Sequence, residues 1–335
     1  MSTCLIFGGS GFIGTNLIYF FLKHNIFNNI IVCDLNEKIY SKDILIDNAV
    51  AIKYLYCDVR REIDLKLDSN VNLIINLAAI HREPGHNDFE FYETNLLGAQ
   101  NVTNFAETIG CNNLFFTSSI SPYGDAITVK DEKTLPVPTT PYGTSKLIAE
   151  KIHQIWQARD KTNRRLLIVR PGVVYGPGEG GNVSRLIKSV LKNYFFYVGN
   201  KSTRKAGVYV KELCNAMWWV FQDQIKNGER VSLFNMTINP SPSINDYVDT
   251  ICKVKGFKRK FYSIPYKFLL ASCYVIEFFL RPFKINHPFS PVRIRKLVYS
   301  NNIIPSYLLE HGYQYEFTLE SSFLDWKKSS PKEWC

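Results

Sequence analysis

The amino-acid sequence predicts an α/β fold, a Rossmann-type doubly wound parallel sheet followed by a smaller mixed α/β C-terminal lobe. Three observations carry this prediction. Short apolar runs alternate with stretches of helical periodicity through the first half of the chain. The first apolar run, residues 4–7, ends at the glycine-rich residues 8–14. After about Gly176 the alternation weakens, which indicates a change of architecture.

The elements of the first half follow from these patterns. Helices are predicted at residues 12–23, 89–109 and 142–159, where apolar side chains recur with helical spacing. Strands are predicted at short apolar runs, of the kind that a parallel sheet buries on both faces: 4–7, 30–33, 51–57, 72–76, 114–117 and 166–169.

The second half is predicted as a lobe packed on the edge of the sheet. Its helices are expected at about residues 183–192, 209–225, 243–254 and 265–280, with short extended pieces between them. We therefore divide the chain into a Rossmann domain at 1–176 and a mainly substrate-binding lobe at 177–335. Elements at about 207–235 are expected to return to the first domain. Substrate normally lies in the crevice at such a junction.

The composition is that of an ordinary globular protein of 335 residues. Its eight cysteines are scattered without metal-ligand spacing, so we expect a reducing compartment and no metal site. There is no basic leader segment and no long uncharged apolar run, which predicts a cytoplasmic protein.

The positive charge is concentrated in one segment. Eleven cations and one acid lie between Lys253 and Lys296, so this segment carries the whole net charge of +10. Charge gathered in this way favours an anionic partner. No helix-turn-helix or zinc module accompanies it, so nucleic acid is not the expected partner.

The glycine-rich turn predicts a bound dinucleotide. Gly8 allows the tight turn, Gly11 lets a pyrophosphate approach the backbone, and Gly14 lets the helix pack closely. Asp34 lies twenty residues beyond Gly14, at the end of the second strand, where a carboxylate accepts hydrogen bonds from a ribose diol. This favours NAD over NADP, although Asp34 also fits a simple strand-end turn. Asp58, after the third strand, is placed to reach the adenine.

Tyr142 and Lys146 predict the chemistry. Four residues apart on a helix, the phenol and the ammonium share one face. A nearby cation stabilises a phenolate, so the tyrosine becomes a usable proton carrier. Together with a nicotinamide, this pair predicts hydride transfer at a carbinol or carbonyl carbon. The alternative for Tyr142 is a structural aromatic at the start of a helix.

An ordered set of motifs resembles the extended short-chain dehydrogenase/reductase family, in particular its nucleotide-sugar epimerases and dehydratases. The match runs to about residue 215 and comprises the glycine spacing at 8–14, Asn76-Leu77-Ala78-Ala79, Asn95, Ser118-Ser119, Tyr142-x-x-x-Lys146 and the stretch at 170–178. The resemblance implies that Tyr142 is the base, that Lys146 holds the nicotinamide ribose, and that Ser119 bonds the reacting sugar oxygen. From the residues alone, the default for Ser119 is a loop-capping hydroxyl.

The same resemblance implies the remaining cofactor contacts. The residues expected to line the NAD cleft are Gly8, Gly11, Phe12, Ile13, Gly14, Asp34, Asp58, Val59, Leu77, Ala78, Ala79, Asn95, Tyr142, Lys146 and Pro171.

One departure from the family narrows the reaction. Sugar 4,6-dehydratases carry an Asp-Glu pair directly after the position of Ser119, since removal of water needs its own acid and base. This chain has Ile120 and Ser121 there, which disfavours dehydration. The epimerases often carry asparagine where this chain has Val173.

Further segments are similar to O-antigen enzymes that epimerise N-acetylglucosamine at C4 on undecaprenyl pyrophosphate. These include residues 78–82, 181–183, 197–199 and 291–296. The substrate contacts expected on this basis are His81, Arg82, Ser119, Asn182, Arg185, Arg204 and Lys205.

The segment at 264–280 is apolar around most of its circumference and flanked by cations. Such a helix suits the interface of an anionic membrane, and would place the protein peripherally on the inner face of the cell membrane. The alternative is a core helix of the lobe. The family also implies a homodimer formed through helices 89–109 and 142–159.

We therefore expect an NAD-dependent C4 epimerase of an N-acetylhexosamine on a diphosphate carrier, undecaprenyl or UDP, acting in surface polysaccharide synthesis. A 4-keto-sugar reductase with the same residues is the alternative. A non-catalytic NAD-binding regulator is disfavoured because Ser119, Tyr142 and Lys146 are all present.

Overall fold

A computed structural model describes residues 2–37, 50–81, 85–280 and 298–335 of the chain, with only the backbone for 275–280. Its strands are β1 (Thr3–Phe7), β2 (Asn29–Asp34), β3 (Ala51–Tyr56), β4 (Leu73–Asn76), β5 (Asn113–Thr117), β6 (Ala126–Lys130), β7 (Arg165–Pro171), β8 (Val173–Tyr175), β9 (Tyr197–Val198), β10 (Gly207–Tyr209), β11 (Val231–Met236), β12 (Ser263–Ile264) and β13 (Asn301–Ile303). Its α-helices are α1 (Phe12–Lys23), α2 (Asp88–Thr108), α3 (Pro141–Ala158), α4 (Asn182–Leu191), α5 (Val210–Asn227), α6 (Ile244–Lys255), α7 (Tyr266–Leu280), α8 (Ser306–Glu310) and α9 (Leu319–Ser329).

Seven parallel strands form the central sheet in the order β11-β7-β5-β4-β1-β2-β3. The predicted α/β fold is confirmed. The strand order reverses between β1 and β4, so the chain leaves these neighbouring strands in opposite directions. That reversal opens a crevice at the carboxyl ends of the strands, where ligands bind in sheets of this kind.

Helices cover both faces of the sheet because both faces of its strands are apolar. Cys4 and Ile6 belong to the core under α1 and α5, while Leu5 and Phe7 belong to the core under α2 and α3. This alternation follows from the period of two along a strand. A strand buried on both sides must be a continuous apolar run, which is why β1 could be predicted from sequence.

The predicted elements are present with boundaries that differ by at most two residues. Helices α8 and α9, strand β11 and several shorter strands were not predicted. Of these elements β11 matters most, because it pairs with β7 and forms one edge of the central sheet. The helix α5 that precedes β11 packs on the core under α1.

Aromatic side chains form the core of the C-terminal lobe. Tyr175, from the motif at 170–178, is fully buried there and its hydroxyl lies 2.8 Å from Ser322 Oγ of α9. The rings of Tyr247, Phe323 and Trp326 pack around it. These contacts therefore fix β8, which follows directly after β7, against α9. Among the described residues, no helix combines the length and apolarity needed to cross a membrane.

Candidate active site

The turn between β1 and α1 brings two segments into backbone contact. Gly8 has φ +74°, and a Cβ atom there would lie 2.7 Å from the backbone nitrogen of Ala78. A side chain is therefore excluded by conformation and by space. A Cβ on Gly14 would lie 2.5 Å from the carbonyl oxygen of Gly9, so the third glycine lets α1 pack on the turn itself.

The start of α1 fits a pyrophosphate. Gly11 is the N-cap and offers no side-chain acceptor to the first amides of the helix. Those amides have no acceptor within the helix, and they carry the positive end of its dipole. Phe12 and Ile13 lie half-buried at this end. The turn therefore has the properties of an anion site.

Asp34 ties the end of β2 to the same turn. Its Oδ2 accepts a hydrogen bond from the Ser10 amide at 3.0 Å, and its Oδ1 accepts one from the Leu35 amide at 2.7 Å. Oδ1 also accepts from the Asn36 amide at 3.5 Å, so Oδ2 is the oxygen that retains a lone pair for a ribose hydroxyl. The position fits the NAD ribose, and its negative charge opposes a 2′-phosphate.

Asp58 forms an ion pair with Arg60. Arg60 donates from Nε at 2.9 Å and from Nη2 at 2.7 Å to the two oxygens of this carboxylate. The Arg60 hydrogen bond lowers the pKa of Asp58. Val59 is buried against Gly98 of α2. Any contact with the adenine at this position would therefore involve an ion pair rather than a lone carboxylate.

Asn95 of α2 braces the segment after β4. Its Oδ1 accepts from the Ile80 amide at 3.0 Å, and its Nδ2 donates to the Ile80 carbonyl and to Ser145 Oγ of α3. Leu77, Ala78 and Ala79 lie half-buried in the braced segment. The side chain of Asn95 thus holds one wall of the crevice against α3.

Ser119 lies just before the short 3-10 turn at Ser121–Tyr123, whose N-cap residue is Ile120. Its Oγ accepts from the Ser121 amide at 3.1 Å and donates to Ser121 Oγ at 3.0 Å. The loop-capping contact predicted as the alternative is present. The Ile120 amide bonds the carbonyl of Pro171 at the end of β7, which anchors this loop over the carboxyl end of the sheet.

Helix α3 begins immediately before Tyr142. Thr140 is the N-cap and its hydroxyl accepts from the Gly143 amide, while Pro141 occupies the first helical turn. The ring of Tyr142 lies half-buried, 6.1 Å from that of Phe91 on α2. The helix start is thus fixed on both sides of the phenol.

Lys146 is buried, with only 3% of its surface exposed. Its Nζ donates to the Thr117 carbonyl at 2.8 Å and lies 4.8 Å from the centre of the Phe116 ring. Burial lowers the pKa of Lys146 to about 7, while the Glu150 carboxylate opposes that shift. Near neutrality this ammonium is therefore finely balanced between its charged and neutral forms.

Three residues of this neighbourhood were not predicted from sequence. Glu150 accepts two hydrogen bonds from Arg170 and one from Ser118, and all three side chains are buried. One signal was available, since residues 142, 146 and 150 share a helical face. Arg170 and Ser118 stood within recognised motifs but carried no role.

The predicted substrate contacts are distributed around the lobe. His81 is exposed after β4, and Arg82 lies outside the described residues. Asn182 begins α4 and accepts from Arg185 at 2.8 Å. Arg204 donates to the Ser241 carbonyl and Lys205 to the Tyr299 carbonyl, and burial lowers the pKa of Lys205 to about 8. A role for His81 and Arg82 toward the sugar, and for the other four residues toward the diphosphate, stays a prediction.

Known proteins are similar to this chain over nearly its whole length. A relative from Escherichia coli O157:H7, N-acetyl-alpha-D-glucosaminyl-diphospho-ditrans,octacis-undecaprenol 4-epimerase, is 26% identical over 93% of this chain and 95% of its own. A sterol-4-alpha-carboxylate 3-dehydrogenase from Candida albicans is 27% identical over 97% of each chain. The structure of a Bacillus cereus UDP-N-acetylglucosamine 4-epimerase shares the fold, with a TM-score of 0.69, 18% identity, and coverage of 97% of this chain and 98% of its own.

The family model for the NAD dependent epimerase/dehydratase family matches residues 4–234, more than half of the chain. That span contains the glycine-rich turn, Asp34 and the helix with Tyr142 and Lys146. The sequence-based prediction of family and of NAD as cofactor is therefore confirmed: this chain belongs to the NAD-dependent epimerase/dehydratase family of enzymes.

Proposed function

We propose that the chain is an NAD-dependent C4 epimerase of an N-acetylhexosamine carried on a diphosphate, acting in surface polysaccharide synthesis. The observation that carries the proposal is the buried ammonium of Lys146, one helical turn beyond Tyr142 at the crevice of an NAD-binding sheet. A phenol needs such a neighbour to act as a base near neutral pH.

The residues divide the reaction among them. The glycine turn and Asp34 would hold NAD, which would supply hydride transfer from C4 and its return to the opposite face of the 4-keto sugar. Tyr142 takes the proton of the C4 hydroxyl. It returns the proton to the C4 oxygen after the 4-keto sugar has rotated in the site. The charge on Lys146 stabilises the phenolate during this interval. Ser119 exchanges its bond with Ser121 for one to the sugar oxygen.

Two features support epimerisation over the neighbouring chemistries. Ile120 and Ser121 follow Ser119, so the acid and base of a dehydratase are absent at those two positions. The E. coli relative is named as a 4-epimerase of a diphosphate-linked sugar. The Candida relative is named as a dehydrogenase, which keeps a net oxidation or reduction, such as 4-keto-sugar reduction, as the alternative.

We predict that the purified enzyme inverts C4 of N-acetylglucosamine diphosphate without added coenzyme, because each turnover regenerates NAD. Undecaprenyl-linked and UDP-linked substrates are compared by mass spectrometry and by chromatography of the released sugar. We expect faster turnover of the lipid-linked form. Absence of inverted product from both, with stoichiometric oxidation of NADH or NADPH by a 4-keto sugar, would establish the reductase instead.

We predict that Tyr142→Phe lowers kcat by about 10²-fold or more, the usual contribution of a positioned proton carrier. The ring and its packing against Phe91 are retained, so the melting temperature and NAD affinity should change little. Tyr92→Phe on α2 is the matched control for loss of a hydroxyl. Wild-type turnover by Tyr142→Phe would contradict the catalytic assignment.

We further propose that α7 and the segment before it contact an anionic membrane. Tyr262 is 87% exposed and Phe268 is 67% exposed, which is unusual for aromatic side chains of a lobe core. Lys258, Lys260 and Lys267 are exposed in the same stretch. Aromatic rings beside lysines match the boundary between headgroups and acyl chains.

The other cations of the basic segment fall into two groups: some have partners within the chain, and some lie outside the described residues. Lys253 forms an ion pair with Glu320, Lys255 donates to the Trp334 carbonyl, and Arg259 donates to the Val190 carbonyl. These three cations serve the packing of the lobe. The cations at 281–296 lie outside the described residues. The exposed lysines therefore carry the proposal.

We predict that the triple variant Lys258→Gln, Lys260→Gln and Lys267→Gln binds phosphatidylglycerol vesicles more weakly, by about 1 kcal/mol for each charge removed. Cosedimentation at low salt measures the partition coefficient. Neutralising Lys66, Lys161 and Lys226 removes the same charge from other exposed sites and serves as the control. Equal losses in both variants would mean that net charge alone governs binding, and no binding by the wild type would end the membrane proposal.

We also propose a homodimer through α2 and α3. These helices pack side by side and expose large apolar residues on their outer surfaces, including Phe89, Leu97, Ile148 and Ile155. Ile148 and Ile155 are seven residues apart and share one face of α3. An apolar stripe of this kind favours burial against a second copy.

We predict that Ile155→Glu converts a dimer to a monomer, measured by sedimentation velocity. Ile155 is 56% exposed, so the isolated fold tolerates the charge. Ile225→Glu, on α5 and 53% exposed, is the matched control and should leave the dimer intact. A wild-type monomer at micromolar concentration would refute the interface.

A further inference from the structure

A buried ion pair between Glu150 and Arg170 joins α3 to β7. Arg170 of β7 donates to Glu150 through Nε at 2.8 Å and Nη2 at 2.6 Å, a two-point contact. Ser118 donates its hydroxyl to the same carboxylate at 2.5 Å. Glu150 is wholly buried, and Ser118 and Arg170 are nearly so. A buried charge requires this degree of satisfaction to persist.

The pair joins the separate pieces of chain that carry the proposed chemistry. Glu150 stands on α3, two turns after Tyr142 and one turn after Lys146. Ser118 directly precedes Ser119. The Arg170 guanidinium lies 4.7 Å from the centre of the Tyr123 ring, in the 3-10 turn that follows Ser119. Any displacement of the Glu150–Arg170 pair would therefore move the Ser118–Ser119 loop relative to α3.

Within the part of the chain that the structure describes, the other titratable groups beside Lys146 supply no compensating negative charge. His153, on the same face of α3, donates Nδ1–H to the Ala149 carbonyl and lies 3.3 Å from Asn76 Nδ2. Burial lowers the pKa of His153 to about 4, so it is neutral in the working range. Burial raises the pKa of Tyr123, which keeps that phenol neutral. Glu150 is thus the anion that supports the ammonium.

We propose that Glu150, held by Arg170 and Ser118, is a positioning residue that keeps Lys146 charged and fixes the Ser118–Ser119 loop against the catalytic helix. The catalytic consequence rests on the proposed function, but the electrostatic effect on Lys146 does not. The effect acts in the free protein, before substrate is bound.

The sign of the pH dependence follows from the two opposing influences on Lys146. The ammonium is charged below its pKa and is lost as the pH rises through that value. Glu150→Gln removes the influence that raises this pKa, so Lys146 loses its proton at lower pH. We expect the alkaline limb of the kcat profile to move to lower pH by about one unit, with a lower plateau because the loop shifts.

The test measures Lys146 directly. The ¹³C shift of its Cε in lysine-labelled protein is followed against pH, with the signal assigned by Lys146→Arg. Glu150→Gln should titrate about one unit lower than wild type. Arg170→Gln leaves the carboxylate in place, so Lys146 should titrate no lower than in wild type. Circular dichroism and melting temperature establish that each variant is folded.

The double variant Glu150→Gln/Arg170→Gln keeps the proposal testable if Glu150→Gln alone does not fold. Removing both charges leaves no unpaired ion in the core. Its Lys146 should still titrate below the wild-type value, because the supporting anion is gone. An unchanged Lys146 titration in folded Glu150→Gln or in the double variant would overturn the proposal. So would a downward shift of equal size in Arg170→Gln. None of these outcomes depends on which sugar the enzyme turns over.

Discussion

The burial of Lys146 is the interaction on which the site depends. An ammonium without water is costly in the low dielectric of a protein core. Three features offset that cost: the Thr117 carbonyl, the face of Phe116, and the carboxylate of Glu150. The result is a cation whose pKa of about 7 lies far below that of an exposed lysine. Because this pKa lies near neutrality, the protonation of Lys146 is sensitive to the placement of neighbouring charged and polar groups.

The doubly wound sheet explains how those neighbours are brought together. Thr117 ends β5, Pro171 ends β7 and Asp34 ends β2, and all of these strands are parallel. Their carboxyl ends therefore meet along one edge, although they are far apart in sequence. Gly8 completes the arrangement by letting the β1 turn touch the backbone after β4. The same edge thus brings together the glycine-rich turn, Asp34 and the Thr117 carbonyl that accepts from Lys146.

The predictable parts of the molecule are those with local signals. β1 was predicted because a strand covered on both faces is continuously apolar. β11 was missed because it contains Ser232 and Asn235, two buried polar residues with partners far away in the sequence: Asn235 accepts from Tyr123, and Ser232 Oγ lies 3.0 Å from the Tyr307 hydroxyl. A sequence pattern cannot show such partners.

The candidate site also contains residues that the sequence predicted and residues that it did not. The glycines, Asp34, Tyr142 and Lys146 have characteristic spacings, whereas Glu150 was overlooked. A glutamate four residues after a lysine ordinarily indicates an exposed helical ion pair. Here the actual partner is Arg170 on β7, and the whole group is buried. Only the packing of α3 on the sheet distinguishes a solvated charge pair from one that controls the site.

The basic segment shows how structure corrects a count of charges. Lys253, Lys255 and Arg259 are used within the lobe, which leaves Lys258, Lys260 and Lys267 among the described cations near exposed aromatic rings. At about 1 kcal/mol each, three lysines give an attraction that is readily reversed. Reversible contact would suit the proposed lipid-linked substrate, whose sugar would enter the crevice at the sheet edge while its carrier stayed in the lipid. On that proposal a weak attraction is an advantage, because the protein would have to leave one lipid-linked sugar before it met the next.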